Sequence, residues 1–542
     1  MTRTRRLLTG LLSAALALGT VAARAGATPP VSGPFPSCSV ACVSVGDASM
    51  LEGDSGSRSM AFSVTLSQSA GAPITVNYRL VGASATGSNK VAAGVDFNDK
   101  KGVTGTVTFA AGKVARPIAV AVFGDTAVEN DETFRVILSN PTGGARLARP
   151  LAIGTIIDDD GAGAGIHVGV GDAATLEGDS LAGRTLAFAV TASNPSTSAF
   201  TLNYAVTAVT AQFGATATGG ADFGGKQTGT IKFTVGSKGT TPVLKKVSVP
   251  LWPDINLEND ETLTLTVSAA SLPAGMSITR ATGTGTIVDD DATPTSEPVP
   301  TAMASLGDSM SRAFNACAPQ FGECPAAVWS TGTNPNVDSQ YSRILAANPA
   351  LAGHVFNDAV SGATMSNLNG QATNAVAQGV DYVTVEMGGN DACKSSEAAM
   401  TSVATYQSQF QLAMTTLENG LPNVRVLVAS VPDIERLWFV GKDNPNALTV
   451  WSAAGICQSM LASPQSTNQT DIDRRTRVRQ RVIDYNTALA TVCAQYTNCR
   501  YDGSVFDWPF ELPDVSSIDY FHPSLTGQTM LAIGTYGAGW NW

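Results

Sequence analysis

Hydrophobic and polar positions alternate with a period of two through most of the first half of the chain. Runs such as Ala61-Phe-Ser-Val-Thr-Leu66, Ile118-Ala-Val-Ala-Val122, Leu186-Ala-Phe-Ala-Val190 and Leu263-Thr-Leu-Thr-Val267 are separated by turn-rich stretches. Side chains two residues apart share a face of a strand, so the pattern predicts half-buried strands packed as β-sandwiches. From Thr301 the pattern changes. Short apolar runs (Ala302 to Leu306, His354 to Val360, Tyr382 to Met387, Val424 to Val431) are separated by helical stretches such as Val403 to Glu418 and Thr476 to Tyr496. Strands alternating with helices predict a parallel sheet with crossover helices, whose chemistry stands at the C-terminal strand ends. A Pro/Thr/Ser-rich run at 292–300 reads as a linker that isolates the two halves mechanically.

The β-rich half is duplicated. Leu51-Glu-Gly-Asp-Ser55 recurs at Leu176 to Ser180, Gly94-Val-Asp-Phe97 at Gly220 to Phe223, Glu129-Asn-Asp-Glu-Thr133 at Glu258 to Thr262, and Gly154-Thr-Ile-Ile-Asp-Asp-Asp160 at Gly285 to Asp291. Each copy places carboxylates in loops at strand ends: Glu52, Asp96, Asp125, Glu129, Asp158, Asp159 and Asp160 in the first, and Glu177, Asp222, Asp254, Glu258, Asp289, Asp290 and Asp291 in the second. Three consecutive aspartates repel one another unless a hard cation offsets them, and Ca²⁺ takes six to eight oxygen ligands of this kind. The other reading is a solvated acidic loop. The whole pattern resembles the Calx-β domain family over nearly all of residues 39–291, and that resemblance implies a calcium cluster at one end of each sandwich, formed by the seven positions named in each copy.

Composition and charge narrow the partners. At 542 residues the chain has room for several domains, and only 14% of it is charged. Its net charge of −11 becomes more negative once the arginine-rich N-terminus is set aside. Nucleic acid is therefore not an expected partner, since binding there rests on cationic contacts to phosphate. Residues 1–27 combine a basic start, an apolar stretch and small-x-small sites, which reads as a cleavable secretory signal with the export route left open. No later stretch has the length of apolar residues that a membrane span needs, so the product is expected outside the cell or in the periplasm. The eight cysteines fall into neighbouring pairs, Cys38/Cys42, Cys317/Cys324, Cys393/Cys457 and Cys493/Cys499, without a CxxC, as local disulfides in an oxidising compartment would.

The second half carries the reactive residues. Gly307-Asp-Ser309 follows its first apolar run, Ser361-Gly362 the second, Gly388-Gly-Asn-Asp391 the third, and Asp519-Tyr-Phe-His522 lies near the C-terminus. Gly-Asp-Ser alone is uninformative, because it also occurs at Gly53 and Gly178 inside the β repeats. An ester carbonyl needs a nucleophile, and the Ser309 hydroxyl is weak until a base such as His522 withdraws its proton. Asp519 is placed to accept from the imidazole and fix its tautomer. The tetrahedral oxyanion then needs donors, which the Ser309 and Gly362 backbone N–H groups and the Asn390 amide are placed to supply. Asp308 and Asp391 are expected to hold loops rather than react, and Glu386 in an apolar strand has no explanation at this level.

The ordered Ser…Gly…Asn…His set with a terminal D-x-x-H resembles the SGNH (GDSL-type) hydrolase family over about residues 301–542. The resemblance implies an α/β/α domain with a parallel sheet and an acyl-enzyme mechanism without a cofactor. Some members orient the histidine by a backbone carbonyl instead of an aspartate. The absence of a G-x-S-x-G elbow argues against an α/β-hydrolase fold. Stretches around Val328-Trp-Ser330, Asn357 to Ala363 and Gly388 to Cys393 look like the lipase and phospholipase B branch. The expectation is a multidomain chain: signal 1–27, two all-β Calx-β-like sandwiches at 39–160 and 165–291, linker 292–300 and hydrolase 301–542. The function expected is a secreted serine ester hydrolase acting on an acyl ester or lipid, with the β domains contacting a cell surface or matrix. A carbohydrate O-deacetylase, or a calcium-dependent adhesive protein with a vestigial hydrolase half, are the alternatives.

Overall fold

The computed structural model describes residues 41–540 except 91, 93, 100–103, 161–164, 179–183, 217–219, 238–240, 255–257, 290–297 and 509. The signal segment, Cys38, Asp290, Asp291 and most of the 292–300 run lie outside the described residues. The β half forms around strands that follow the period-two pattern: Gly56–Leu66, Ala115–Gly124, Thr185–Ala192 and Glu261–Ser268 each contain a run read from the sequence. Each repeat has its own apolar core. Phe62, Phe97 and Phe134 are fully buried in the first, as are Phe188 and Phe223 in the second.

Each repeat contributes one four-stranded sheet of its own, while five strands of each join in a single ten-stranded sheet. The two groups of five meet where Ala48–Leu51 lies antiparallel to Ala173–Leu176, with Ala48 opposite Ala173. This junction demands glycine. A Cβ on Gly46 would sit 1.7 Å from the Ala174 carbonyl oxygen, and one on Gly171 would sit 1.8 Å from that of Ser49. Buried arginines cross the junction reciprocally: Arg58 donates to the Ala192 and Ser193 carbonyls, and Arg184 to those of Leu66 and Ser67. The repeats are therefore packed against each other rather than strung in series.

The second half is an α/β domain around a five-stranded parallel sheet in the order Val355–Asn357, Met303–Gly307, Tyr382–Glu386, Arg425–Val428, Cys499–Tyr501. Helices Met365–Gln378, Val403–Gly420 and Gln469–Cys493 bury apolar faces against it. The chain leaves the first strand to one side and returns on the other. The crevice between Met303–Gly307 and Tyr382–Glu386 is thus the topological switch point where such folds place their chemistry. Disulfides join Cys317–Cys324, Cys393–Cys457 and Cys493–Cys499.

The expectation that the linker isolates the halves is not what the structure shows. Arg135, on strand Glu132–Ser139 of the first repeat, donates to Asp514 Oδ1 at 2.6 Å, and both side chains are essentially without solvent exposure. Arg79 donates to Thr526 and Thr529 at 3.1 Å, and Ile137 and Leu151 pack with Trp508, Met530 and Ile533. A composition rule for linkers says how free a tether is, not whether the bodies it joins stick together. Arg135→Met leaves a buried carboxylate unpaired and should lower stability by about 3–5 kcal/mol in denaturant unfolding. Arg135→Met/Asp514→Asn should recover much of that loss, and an unchanged midpoint for the single variant would show that the contact does not form.

Candidate active site and acidic clusters

Strand Met303–Gly307 ends at a glycine that no other residue replaces: Gly307 has φ +153°, and a Cβ there would lie 2.4 Å from the Glu386 carbonyl oxygen. The chain turns at Asp308 into a short 3-10 helix, Met310–Arg312, with Ser309 at its N-cap and buried. His522 Nε2 lies 2.9 Å from Ser309 Oγ, and His522 Nδ1 lies 2.6 Å from Asp519 Oδ2. The Phe314 and Phe521 rings stand 5.0 Å from the imidazole by centroid and limit its tilt.

Asp519 is held from several sides. Its Oδ1 accepts the Phe521 and His522 backbone N–H groups at 2.9 and 3.0 Å, and its Oδ2 also accepts Asn315 Nδ2 at 2.6 Å. Burial by itself pushes this carboxyl up, but the hydrogen bonds and charge of His522, with those of Asn315, outweigh it and leave the pKa below the ordinary value. Asn315 was not anticipated. Its Oδ1 accepts Gly322 N–H at 2.9 Å, so it ties the disulfide loop Cys317–Cys324 to the acid, and no sequence pattern marks it.

The remaining block residues converge from separate strand ends. Gly362 stands at φ +83° in the loop after Val355–Asn357, where that loop carries Val360 N–H to the Gly307 carbonyl. Asn390, on the short helix Gly389–Ala392, donates through Nδ2 to the Ala363 carbonyl at 3.0 Å and to Asp308 Oδ2 at 3.2 Å. Asp308 Oδ1 accepts Met310 N–H, and Asp391 accepts Met365 N–H and Thr401 Oγ1, so both hold loops as their positions suggested. A cleft beside Ser309 and His522 is walled by Val431, Ile434, Leu437, Val440, Phe510 and Phe521. Arginines of helix Gln469–Cys493 are engaged by other residues: Arg477 pairs with Glu397, Arg479 with Asp433 in the cleft wall, and Arg475 lies over the Trp438 ring.

The acidic residues of the β half fall into compact groups. Ligand oxygens lie within 4.8 Å of one another in Glu52–Asp158–Asp160, in Asp96–Glu129–Glu132 and in Asp222–Glu258–Glu261. Asp125 lies close enough to raise both Glu52 and Glu129 electrostatically. Asp159 departs from the set, because its Oδ1 accepts Gly53 N–H at 2.8 Å and its carboxyl faces Arg58. In the second repeat Glu177 Oε1 accepts Asp254 N–H at 3.1 Å, and Asp289 Oδ2 accepts Glu258 N–H at 3.0 Å. Glu132 and Glu261 were missed, although the last Glu of the repeated E-N-D-E-T motif was a usable signal. Burial, with neighbouring carboxylates, pushes Glu52 up to about 8, Glu132 to about 9 and Glu261 to about 8.

Residues 303–534 match the GDSL-like Lipase/Acylhydrolase family, and residues 45–161 match the Calx-beta domain family. The second half is accordingly a GDSL-type domain and the chain a hydrolase acting on esters, joined to a β-sandwich region that includes a Calx-beta domain. Among solved structures, CBD12 from CALX1.2 is similar at 18% identity, covering 45% of this chain and 99% of that one, with a TM-score of 0.19. A family two carbohydrate esterase from Cellvibrio japonicus is 8% identical, covering 92% of this chain and 96% of that one, with a TM-score of 0.25. Likeness at that level carries no inference about substrate. No curated protein matches the chain.

Asn315→Ala removes a donor to ionised Asp519, so the Asp519 pKa should rise and the acid limb of ester hydrolysis should move to higher pH. A pH–rate profile that coincides with the wild type would show that Asn315 does not tune the acid.

Proposed function

We propose that the protein is a secreted serine ester hydrolase that cleaves acyl esters with an apolar acyl chain. The observation that carries this reading is the hydrogen-bonded line Asp519–His522–Ser309, at 2.6 and 2.9 Å, opening beside an apolar cleft. Ser309 Oγ attacks the ester carbonyl while His522 Nε2 takes its proton, and the tetrahedral oxyanion draws on the Ser309 and Gly362 N–H groups and the Asn390 amide. Collapse expels the alcohol, protonated by His522. Water, deprotonated by the same imidazole, then releases the acid from Ser309. Asp519 fixes the tautomer that leaves Nε2 free to accept. The walls Val431, Ile434, Leu437, Val440 and Phe521 favour a long acyl chain, because burying each methylene contributes about 0.8 kcal/mol. Export is supported by the N-terminal sequence and by disulfides that persist in oxidising compartments. Among the described residues no helix is long and apolar enough to cross a membrane.

Ser309→Ala should lower turnover of p-nitrophenyl esters by at least about 10³-fold with the fold retained, and Asp519→Asn should cost less than His522→Ala. Substantial activity in Ser309→Ala would refute the assignment. Rates on esters of increasing chain length should peak at medium or long chains. An optimum at acetyl would point instead to carbohydrate O-deacetylation, and a flat baseline to an adhesive protein.

The β region is read as binding calcium. Carboxylate-only groups within 4.8 Å suit a hard cation that takes several oxygens, and Glu52, Asp158 and Asp160, Asp96, Glu129 and Glu132, and Asp222, Glu258 and Glu261 would hold it, its charge offsetting their repulsion. The cation then supplies stability by binding the folded state. In chelator, Glu52, Glu132 and Glu261 hold protons in the folded state that they lose when unfolded, so stability falls as pH rises from about 4.5 to about 9. Melting curves should show that slope in chelator and a flatter, higher curve in Ca²⁺. Curves that Ca²⁺ does not move would exclude the site.

A further inference from the structure

The end of strand Tyr382–Glu386 poses a problem of charge. Glu386 is fully buried at the end of a largely apolar strand, and in the strand ladder it lies opposite Gly307, one residue before Asp308. Neither of its carboxyl oxygens has a hydrogen-bond partner among the described residues, and the charged group that acts on it most strongly is the carboxyl of Asp308, itself buried. Two carboxyl groups bond to each other only if one carries a proton. The titratable groups around the pair are Asp391, Tyr406 and His522, and among the described residues no lysine or arginine acts on Glu386. Burial, then the Asp308 charge, pushes Glu386 well above the carboxylate range, and burial lifts Asp308 to about 6. Burial and the neighbouring Asp308 charge thus both favour the neutral form of Glu386.

The consequence reaches Asn390. Both hydrogens of its amide are engaged, one by the Ala363 carbonyl at 3.0 Å and one by Asp308 Oδ2 at 3.2 Å, so the amide serves an oxyanion only by releasing one of them. A carboxylate with its full charge holds such an amide through a charge-assisted bond and repels an oxyanion forming beside it.

We propose that Glu386 is a positioning residue, whose carboxyl hydrogen bonds Asp308 and spreads its charge so that the Asn390 amide can turn from Asp308 to the oxyanion at Ser309. This deepens the ester-hydrolase reading and rests on it. The device acts in the transition state and leaves ground-state binding alone, so it shows in kcat rather than KM.

The test compares wild type, Glu386→Leu, Glu386→Gln and Ser309→Ala on a soluble p-nitrophenyl ester from pH 6 to 10, with circular dichroism to confirm folding. Glu386→Leu should lose about 10- to 100-fold in kcat at neutral pH with KM unchanged, as when an oxyanion donor is weakened. Glu386→Gln keeps a donor toward Asp308 and should recover most of that loss. It should also lack the alkaline fall in kcat that wild type shows when Glu386 gives up its proton and a second charge appears beside Ser309. If Glu386→Leu does not fold, the alkaline limb of Glu386→Gln decides alone. An alkaline limb shared by wild type and Glu386→Gln, or a Glu386→Leu variant as fast as wild type, overturns the inference while an inactive Ser309→Ala leaves the parent reading standing. An active Ser309→Ala removes both.

Discussion

The Arg135–Asp514 ion pair is the contact on which the relation between the two halves depends. Its two charges come from strands and loops 379 residues apart in sequence and have both lost their water. Desolvation costs several kcal/mol per ion, so such a pair is tolerable only where geometry and supporting bonds are good. Here Asp514 also accepts Glu511 N–H through Oδ2, its carbonyl accepts Ser524 N–H, and Glu511 pairs with Arg436. Two residues on, Ser516 N–H donates to the His522 carbonyl and Ser516 Oγ to that of Asn315. The segment that carries Asp519 and His522 is thus pinned at one end by an arginine of a β-sandwich. Asp514 also lines the cleft beside Ser309.

The same economy of anchoring appears on the other side of the site. Cys393–Cys457 ties the chain just after Asn390 to a segment 64 residues on, and Ser459 reinforces it by donating Oγ to the Ala392 carbonyl and N–H to that of Lys394. Gln371, from helix Met365–Gln378, accepts Gly307 N–H and donates to the Gly307 carbonyl, clamping the strand end before Ser309. Oxyanion donors stabilise a transition state only if they need no reorganisation when charge develops. The backbones of the three loops that carry Ser309, Gly362 and Asn390 meet that condition because each is tied separately, and only the Asn390 side chain has to turn.

Much of this was legible in the sequence, and the reason is locality. Ser309, Gly362 and Asn390 each follow an apolar run within a few residues, and a parallel sheet converts that position into convergence at one edge. D-x-x-H places its acid and base within one turn. The duplicated motifs likewise marked acidic loops because carboxylates recur where strand pattern stops. The strands themselves were read with less precision: His354 to Val360 yields only Val355–Asn357, and Cys499–Tyr501, three residues long, shows no period to detect. What the pattern did not hold was pairing between distant elements. The shared ten-stranded sheet, Arg135 with Asp514, and Asn315 behind Asp519 are each made of ordinary residues whose significance lies only in what faces them.

Glu386 belongs to a different class, since the sequence showed it as an anomaly without a cause. A carboxylate in an apolar strand is costly unless its charge is removed or paired. With no cation beside it among the described residues, removal is the remaining route, and the proton that removes it must come to rest against an acceptor. In the proposed arrangement Asp308 is that acceptor, one residue beyond the Gly307 that pairs with Glu386 in the ladder. The glycine that permits the tight turn into Ser309 therefore also sets the strand end of Glu386 beside the turn that carries Asp308, and the turn and the electrostatics of the site follow from one backbone constraint.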